Sequence, residues 1–181
     1  LAGEAEEALS LVREVLERTA GEAPSGEVHL NECLGQLLSH LECWVDTERV
    51  RVFSFLRPEL RRVPGDSVEI LRALGALARR ARDSVRANGG TLTVRSWEED
   101  HWVCAAVSDD GSGASASPGD TAPEPLFPGA SDPAAPGLED VRAIVERHGG
   151  RLLVEQRPSV WNRYTLMLPV ERRSGSPPPS P

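Results

Sequence analysis

Apolar residues recur along this chain at two periods, and the switches between them mark its elements. Over residues 1–20, Leu1, Ala5, Ala8, Leu9, Val12, Val15 and Leu16 fall at helical spacing with glutamates between them, an amphipathic helix that stops before Gly21-Glu-Ala-Pro-Ser-Gly26. It suits either a surface helix or the tail of a helix that pairs with a partner, and the clean break favours the second. Val28-His-Leu30 is a short extended piece. Leu30–Val45 is a helix with Leu34, Leu37, Leu38 and Leu41 inward. Alternation over Arg49–Phe55 predicts a strand. Pro64-Gly-Asp66 is a turn, with Asp66 or Ser67 capping a helix over Val68–Val85. Asn88-Gly-Gly90 ends that helix and opens a strand over Thr91–Trp97. An acidic turn, Glu98-Glu-Asp100, leads to a second strand over His101–Val107, making a hairpin. A helix over Leu138–His148 ends at Gly149-Gly150, and strands follow over Arg151–Gln156 and Trp161–Leu168. Together these predict an α+β two-layer sandwich, with helices on one face of a mixed, mostly antiparallel sheet.

Between strand and helix, residues Asp110 to Pro136 are rich in Gly, Ser, Pro, Ala and Asp without any period. A loop of that length is a functional lid or a disordered insert. The end of the chain, from Ser174, is Pro/Ser-rich and predicts disorder. The chain therefore divides into a linker or helix end over 1–26, one domain over 27–172, and a tail over 173–181.

Composition narrows the class. A length of 181 residues suffices for one domain with its own core. No apolar run approaches the ~20 residues that cross a bilayer, and no signal peptide is present, so this fragment is expected to make no membrane contact. Leu1 in place of an initiator Met suggests a piece of a longer protein. The net charge of −8 argues against a nucleic-acid partner, because phosphate backbones need Lys/Arg surfaces. All twenty basic residues are arginine, which a GC-rich coding bias explains as readily as any function. Cys33, Cys43 and Cys104 have no CxxC spacing and apolar neighbours, and are expected to be buried thiols in a reducing cytoplasm.

The chemistry concentrates at Val107-Ser-Asp-Asp-Gly-Ser-Gly113, where a strand runs into the long loop. Glycines at alternate positions let the backbone approach a ligand closely, and a fixed carboxylate accepts a hydrogen bond from an exocyclic amine. An acidic turn would look the same in isolation. His148, before Gly149-Gly150, suits the negative end of a helix and receives no catalytic role. The other histidines lack metal spacing.

In order and spacing, Val63-Pro-Gly-Asp66, Gly89-Gly-Thr-Leu-Thr-Val94, the Asp-Asp-Gly-Ser-Gly run and Val141-Arg-Ala-Ile-Val-Glu-Arg-His-Gly-Gly150 resemble the Bergerat-fold ATPases. They are most similar to catalytic domains of bacterial sensor histidine kinases, over roughly residues 27 to 170. The resemblance implies that ATP/ADP is the ligand. It implies that Asp109 holds the adenine amino group, that Gly111 and Gly113 shape the adenine pocket, and that Leu126 and Phe127 anchor the lid. It places Gly137 and Leu138 where a helix N-terminus meets the phosphates. It further implies a cytoplasmic kinase that passes the γ-phosphoryl of ATP to a histidine on a dimerisation domain outside this chain, and thence to a response regulator.

Two departures bear on the mechanism. Where the family carries an acidic or amide residue and two asparagines on its long helix to position Mg2+ and phosphates, this chain has Arg72, Ala76 and Arg80. The second glycine-rich box is reduced to Pro133-Ala-Ala-Pro136 before Gly137. The usual ligands of Mg2+ are missing. Arg72 and Arg80 could grip phosphate with guanidinium groups, or they could be a solvated helix face. The alternative to an atypical kinase is a pseudokinase scaffold that does not turn over ATP.

Overall fold

The computed structural model describes residues 26–48, 50–85, 89–111, 136–157 and 160–171, with side chains of the first stretch described through residue 41. The helix expected over 1–20, most of the long loop with Gly113, Leu126 and Phe127, and the Pro/Ser tail lie outside the described residues.

The elements run β1 (Glu27–Val28), α1 (Leu30–Glu48), β2 (Val50–Leu56), β3 (Val63–Pro64), α2 (Ser67–Val85), β4 (Gly90–Glu99), β5 (Trp102–Asp109), α3 (Leu138–Arg147), β6 (Arg151–Arg157) and β7 (Trp161–Pro169). The five long strands form one sheet in the order β2-β4-β5-β7-β6. β2 and β4 are parallel and the other pairs antiparallel, as the mixed sheet requires. A small antiparallel pair, β1 with β3, adds a second sheet whose pairing the sequence did not disclose.

Alternation decides which face of each strand is buried. Leu92 and Val94, Val103, Ala105 and Val107, and Tyr164, Leu166 and Leu168 all point to one side and are buried. Against them lie the apolar stripes of the helices: Leu30, Leu34, Leu37 and Leu41 of α1, Ile70, Leu74, Leu77, Ala78, Ala81 and Val85 of α2, and Val141, Ile144 and Val145 of α3. α2 packs between the other two.

Helix ends are fixed by specific bonds. Asp66 Oδ1 accepts from the backbone N–H groups of Val68 (2.8 Å) and Glu69 (3.3 Å), so of the two candidate caps it is Asp66 that caps α2. His148, buried at the C-cap of α3, bridges the helices. Its Nδ1 donates to the Ile144 carbonyl (2.7 Å), which leaves Nε2 to accept from the Asp66 N–H (3.0 Å). Arg147 adds an ion pair to Glu69 at 2.6 Å. The histidine therefore ties the end of α3 to the start of α2, a more specific role than a fit to the helix dipole. Gly65 closes the arrangement, because a Cβ there would lie 3.1 Å from His148 Nε2.

The hairpin differs from expectation by two residues. β4 continues through Glu98 and Glu99, which pair with Val103 and Trp102, and the turn is Asp100-His101. Asp100 takes the left-handed conformation (φ 54°), which a short polar residue tolerates.

Candidate functional site

β5 ends beside the last turn of α2, and the alternation that buries Val103, Ala105 and Val107 also buries Asp109, only 3% exposed. Its neighbour Asp110 points the other way, is exposed, and takes the Thr91 N–H at 2.5 Å. The two aspartates of the motif are thus distinguished by strand register. Asp110 anchors the start of β4, and Asp109 is the carboxylate presented to the interior.

Around Asp109 the donors come from three elements. Gly111 N–H donates to Oδ1 at 3.0 Å. Asn162 on β7, the strand partner of Asp109, donates to the same oxygen at 2.9 Å and to Ser84 Oγ at 3.1 Å. Ser84, in the last turn of α2, also hydrogen-bonds to the carboxylate. Burial raises the Asp109 pKa above the ordinary carboxylate range, with Asp110 adding to it, while the bonds from Ser84, Asn162 and Gly111 oppose the rise. Oδ2 is buried and has no hydrogen-bond partner. An unpaired buried acceptor costs about 1–3 kcal/mol, so this oxygen is poised for an N–H donor from a ligand. The adenine amino group has the right chemistry, and the residues fit it.

Gly111 lies hard against α2. A Cβ there would fall 2.6 Å from the Ser84 carbonyl, closer than real side chains approach. Only glycine lets the chain turn away from β5 past the end of α2. Ser84 and Asn162 escaped the sequence reading. Their signal was a polar residue at an inward position, Asn162 in the alternation with Tyr164, Leu166 and Leu168, and Ser84 beside Ala81 and Val85.

The remaining expected residues divide. Arg80 and Arg72 are exposed on α2 and fall in one row with Ala76 and Ser84, at i, i+4 spacing. Arg80 thus stands about 6 Å along the helix axis from Ser84, and Arg72 about 18 Å. Leu138 is half-buried against the core. Gly137 is exposed at the N-cap of α3, but its N–H already donates to Asp140 Oδ2 at 2.8 Å, and Glu139 and Asp140 make this first turn acidic. Among the described residues no three His, Cys, Asp or Glu side chains converge as a cation site. Cys33 and Cys104 are buried, and burial pushes both thiols up to about 11, which leaves them unreactive. Among the described residues no helix is long and apolar enough to cross a membrane.

No family model matches the chain. Among curated proteins it is similar to the alginate biosynthesis sensor protein KinB of Pseudomonas aeruginosa, 30% identical over 128 residues that make up 69% of this chain and 21% of that protein. It is also similar to the sensory histidine kinase/phosphatase NtrB of Proteus hauseri, 28% identical over 153 residues, 79% of this chain and 42% of that one. The chain thus spans less than half the length of either relative. Among solved structures, the catalytic domain of histidine kinase ThkA superimposes with a TM-score of 0.62 at 20% identity, covering 80% of this chain and 95% of that one. ThkA in complex with the response regulator protein TrrA gives 0.64 at 21% identity, over 96% of this chain and 50% of that one. The fold is that of histidine kinase catalytic domains, and the curated relatives are sensor histidine kinases, as the sequence resemblance implied.

Proposed function

We propose that this chain is the ATP-binding catalytic domain of an atypical two-component sensor histidine kinase working in the cytoplasm. The observation that carries the reading is the Asp109 carboxylate, fixed by Gly111, Asn162 and Ser84 with Oδ2 buried and unpaired. Such an oxygen discriminates. It accepts from the amino group of adenine and repels the carbonyl that guanine carries in the same place. Bound ATP would supply the γ-phosphoryl group, which a histidine nitrogen of a dimerisation domain attacks as the bond to the β-phosphate breaks. Residues 1–26 are the link to that domain, and a response regulator is the final acceptor.

From Asp109 the row Ser84, Arg80, Ala76, Arg72 leads along α2, so the two guanidinium groups stand along the path of a phosphate chain. Phosphoryl transfer is positioning plus charge neutralisation. Arginines supply the second but not the octahedral geometry of Mg2+, so nucleotide binding should survive better than turnover. Gly113, Leu126 and Phe127 complete the adenine pocket and lid in this reading, with Gly137 and Leu138 at the phosphate end.

The scaffold reading is favoured by the α3 terminus. With Gly137 N–H given to Asp140, a phosphate arriving there must displace a carboxylate. Calorimetric titration of ADP and ATP, with Mg2+ and then with EDTA, separates the two. Micromolar binding that Asp109→Asn abolishes supports the nucleotide site, and persistence in EDTA assigns the phosphates to the arginines. No heat at millimolar nucleotide leaves the scaffold.

A further inference from the structure

We propose, resting on Asp109 as the acceptor of adenine's amino group, that Gln156 is a second specificity-determining residue of the same site. It reads the N7 edge of the base, next to that amino group.

The helix layer leaves one end of the sheet open. His148 and Arg147, at the end of α3, bond to Asp66 and Glu69 at the start of α2. The two helices pack together, so they run in opposite directions with those ends level. α2 has 19 residues and α3 has 10. At 1.5 Å per residue, α2 runs on for roughly 13 Å past the first residue of α3. Its last turn meets Asp109 and Asn162 there through Ser84. α3 covers β6 and β7 but stops at Leu138, so among the described residues a notch remains beside the last turns of α2. It is about one helix wide, ~10 Å.

Strand register lays the floor of this notch. Leu92, Asp109, Asn162 and Gln156 form one row across β4, β5, β7 and β6, on the face that carries the core. The alternation of β6 sends Leu152 and Val154 into that core. Gln156 is the next residue on the same face, and it is exposed. Polarity at an inward position is the signal that also marks Asn162 and Ser84 beside Asp109.

The groups of the row divide the work. Asp109 Oδ1 accepts from Gly111 and Asn162, and the Asn162 amide also donates to Ser84. A ligand over Asn162 is then flanked by Asp109, with Oδ2 unpaired, and by the Gln156 amide. Neighbouring strands lie ~4.8 Å apart, so these two residues stand about 10 Å from each other, a gap that one purine and two side chains fill. An ionised carboxylate only accepts, whereas an amide both accepts and donates. Adenine's amino group has two hydrogens. Asp109 takes the one on the N1 side. Gln156 Oε1 takes the other while its Nε2–H donates to N7, the paired contact by which an amide side chain matches adenine. Guanine, with a carbonyl in place of the amino group, is repelled by both oxygens.

Calorimetric titration of ADP and 7-deaza-ADP into the full chain tests this, on wild type, Gln156→Ala and Gln156→Glu. The deaza analogue keeps the amino group and replaces N7 by C–H. Wild type should prefer ADP roughly tenfold, and Gln156→Ala should weaken ADP by a similar factor and cut the preference to below about threefold. Gln156→Glu, which accepts but has nothing to donate to N7, should reverse the preference. All three proteins should melt together, because the side chain is exposed. Equal affinity of wild type for the two nucleotides overturns the proposal, as does a preference that survives in Gln156→Ala. Either result leaves the Asp109 reading standing if Asp109→Asn still abolishes ADP binding. A wild type that binds neither nucleotide overturns both.

Discussion

Burying the Asp109 carboxylate removes solvation that Gly111, Asn162 and Ser84 return only in part, and the sign of the raised pKa turns this into a prediction. A carboxyl whose folded pKa lies above its unfolded one contributes stability that is fully present below the unfolded value and lost as pH rises through the folded one. At neutral pH the ionised side chain is therefore a cost. Asp109→Asn keeps the acceptor that Gly111 and Asn162 use and removes the charge. Without nucleotide it should melt above wild type at pH 7, since the buried charge is gone. The gap should close as pH falls through the raised pKa. Scanning calorimetry across that range checks it, and a gap independent of pH would rule the account out. Gly111→Ala makes the opposite case, since its Cβ would strike the Ser84 backbone. It should cost about 2–3 kcal/mol by urea titration and weaken ATP binding as well, because the end of α2 must shift beside Asp109.

At the scale of elements, periodicity located the long strands and helices to within a few residues because each buries one face. The expected strand over 49–55 is Val50–Leu56, and the helix over 68–85 is Ser67–Val85. What escaped was non-local. Two-residue strands such as β1 and β3 have no period to display, and Val63-Pro64 is a strand only because Val28 pairs with it. The hairpin turn moved because Glu98 and Glu99 are polar residues that still pair. Asp109 was legible as a motif, whereas Ser84 and Asn162 become site residues only when α2 and β7 are folded against β5. The helix junction was half legible, with Asp66 foreseen as a cap but His148 not foreseen as its partner across 82 positions. Asp66→Ala should therefore cost about 1 kcal/mol as a lost cap, and Ser67→Ala close to nothing. His148→Ala, which leaves the Asp66 N–H without its acceptor and takes the ring donor from the Ile144 carbonyl, should cost about 2–3 kcal/mol. Chemical denaturation of the three variants checks the order. A Ser67 effect as large as that of Asp66 would mean the cap is misassigned.

For the molecule as a whole, strand order sets which parts open together. β5 lies at the centre of the sheet with α2 packed on it, and its residues Val103 to Val107 are all buried. β7 beside it is buried from Tyr164 to Thr165 and Leu166. β6 has one sheet neighbour and is exposed over Glu155 to Arg157. Amides that open only with the whole domain should therefore concentrate at 103–107 and 164–168, while those of 155–157 exchange through local fraying. A ligand that binds the folded state alone raises global stability by about 2.7 kcal/mol at a hundredfold excess over Kd. Saturating ATP should accordingly slow exchange at 103–107 roughly a hundredfold, and slow the Gly111 amide, which opens locally, by protecting the Asp109 corner directly. Hydrogen exchange with mass spectrometry, run with and without ATP on wild type and Asp109→Asn, reads both effects at once. Slowing in the wild type that the variant lacks ties the site to the stability of the entire sheet. Equal exchange in all four samples would separate the fold from nucleotide and leave the Asp109 corner as architecture.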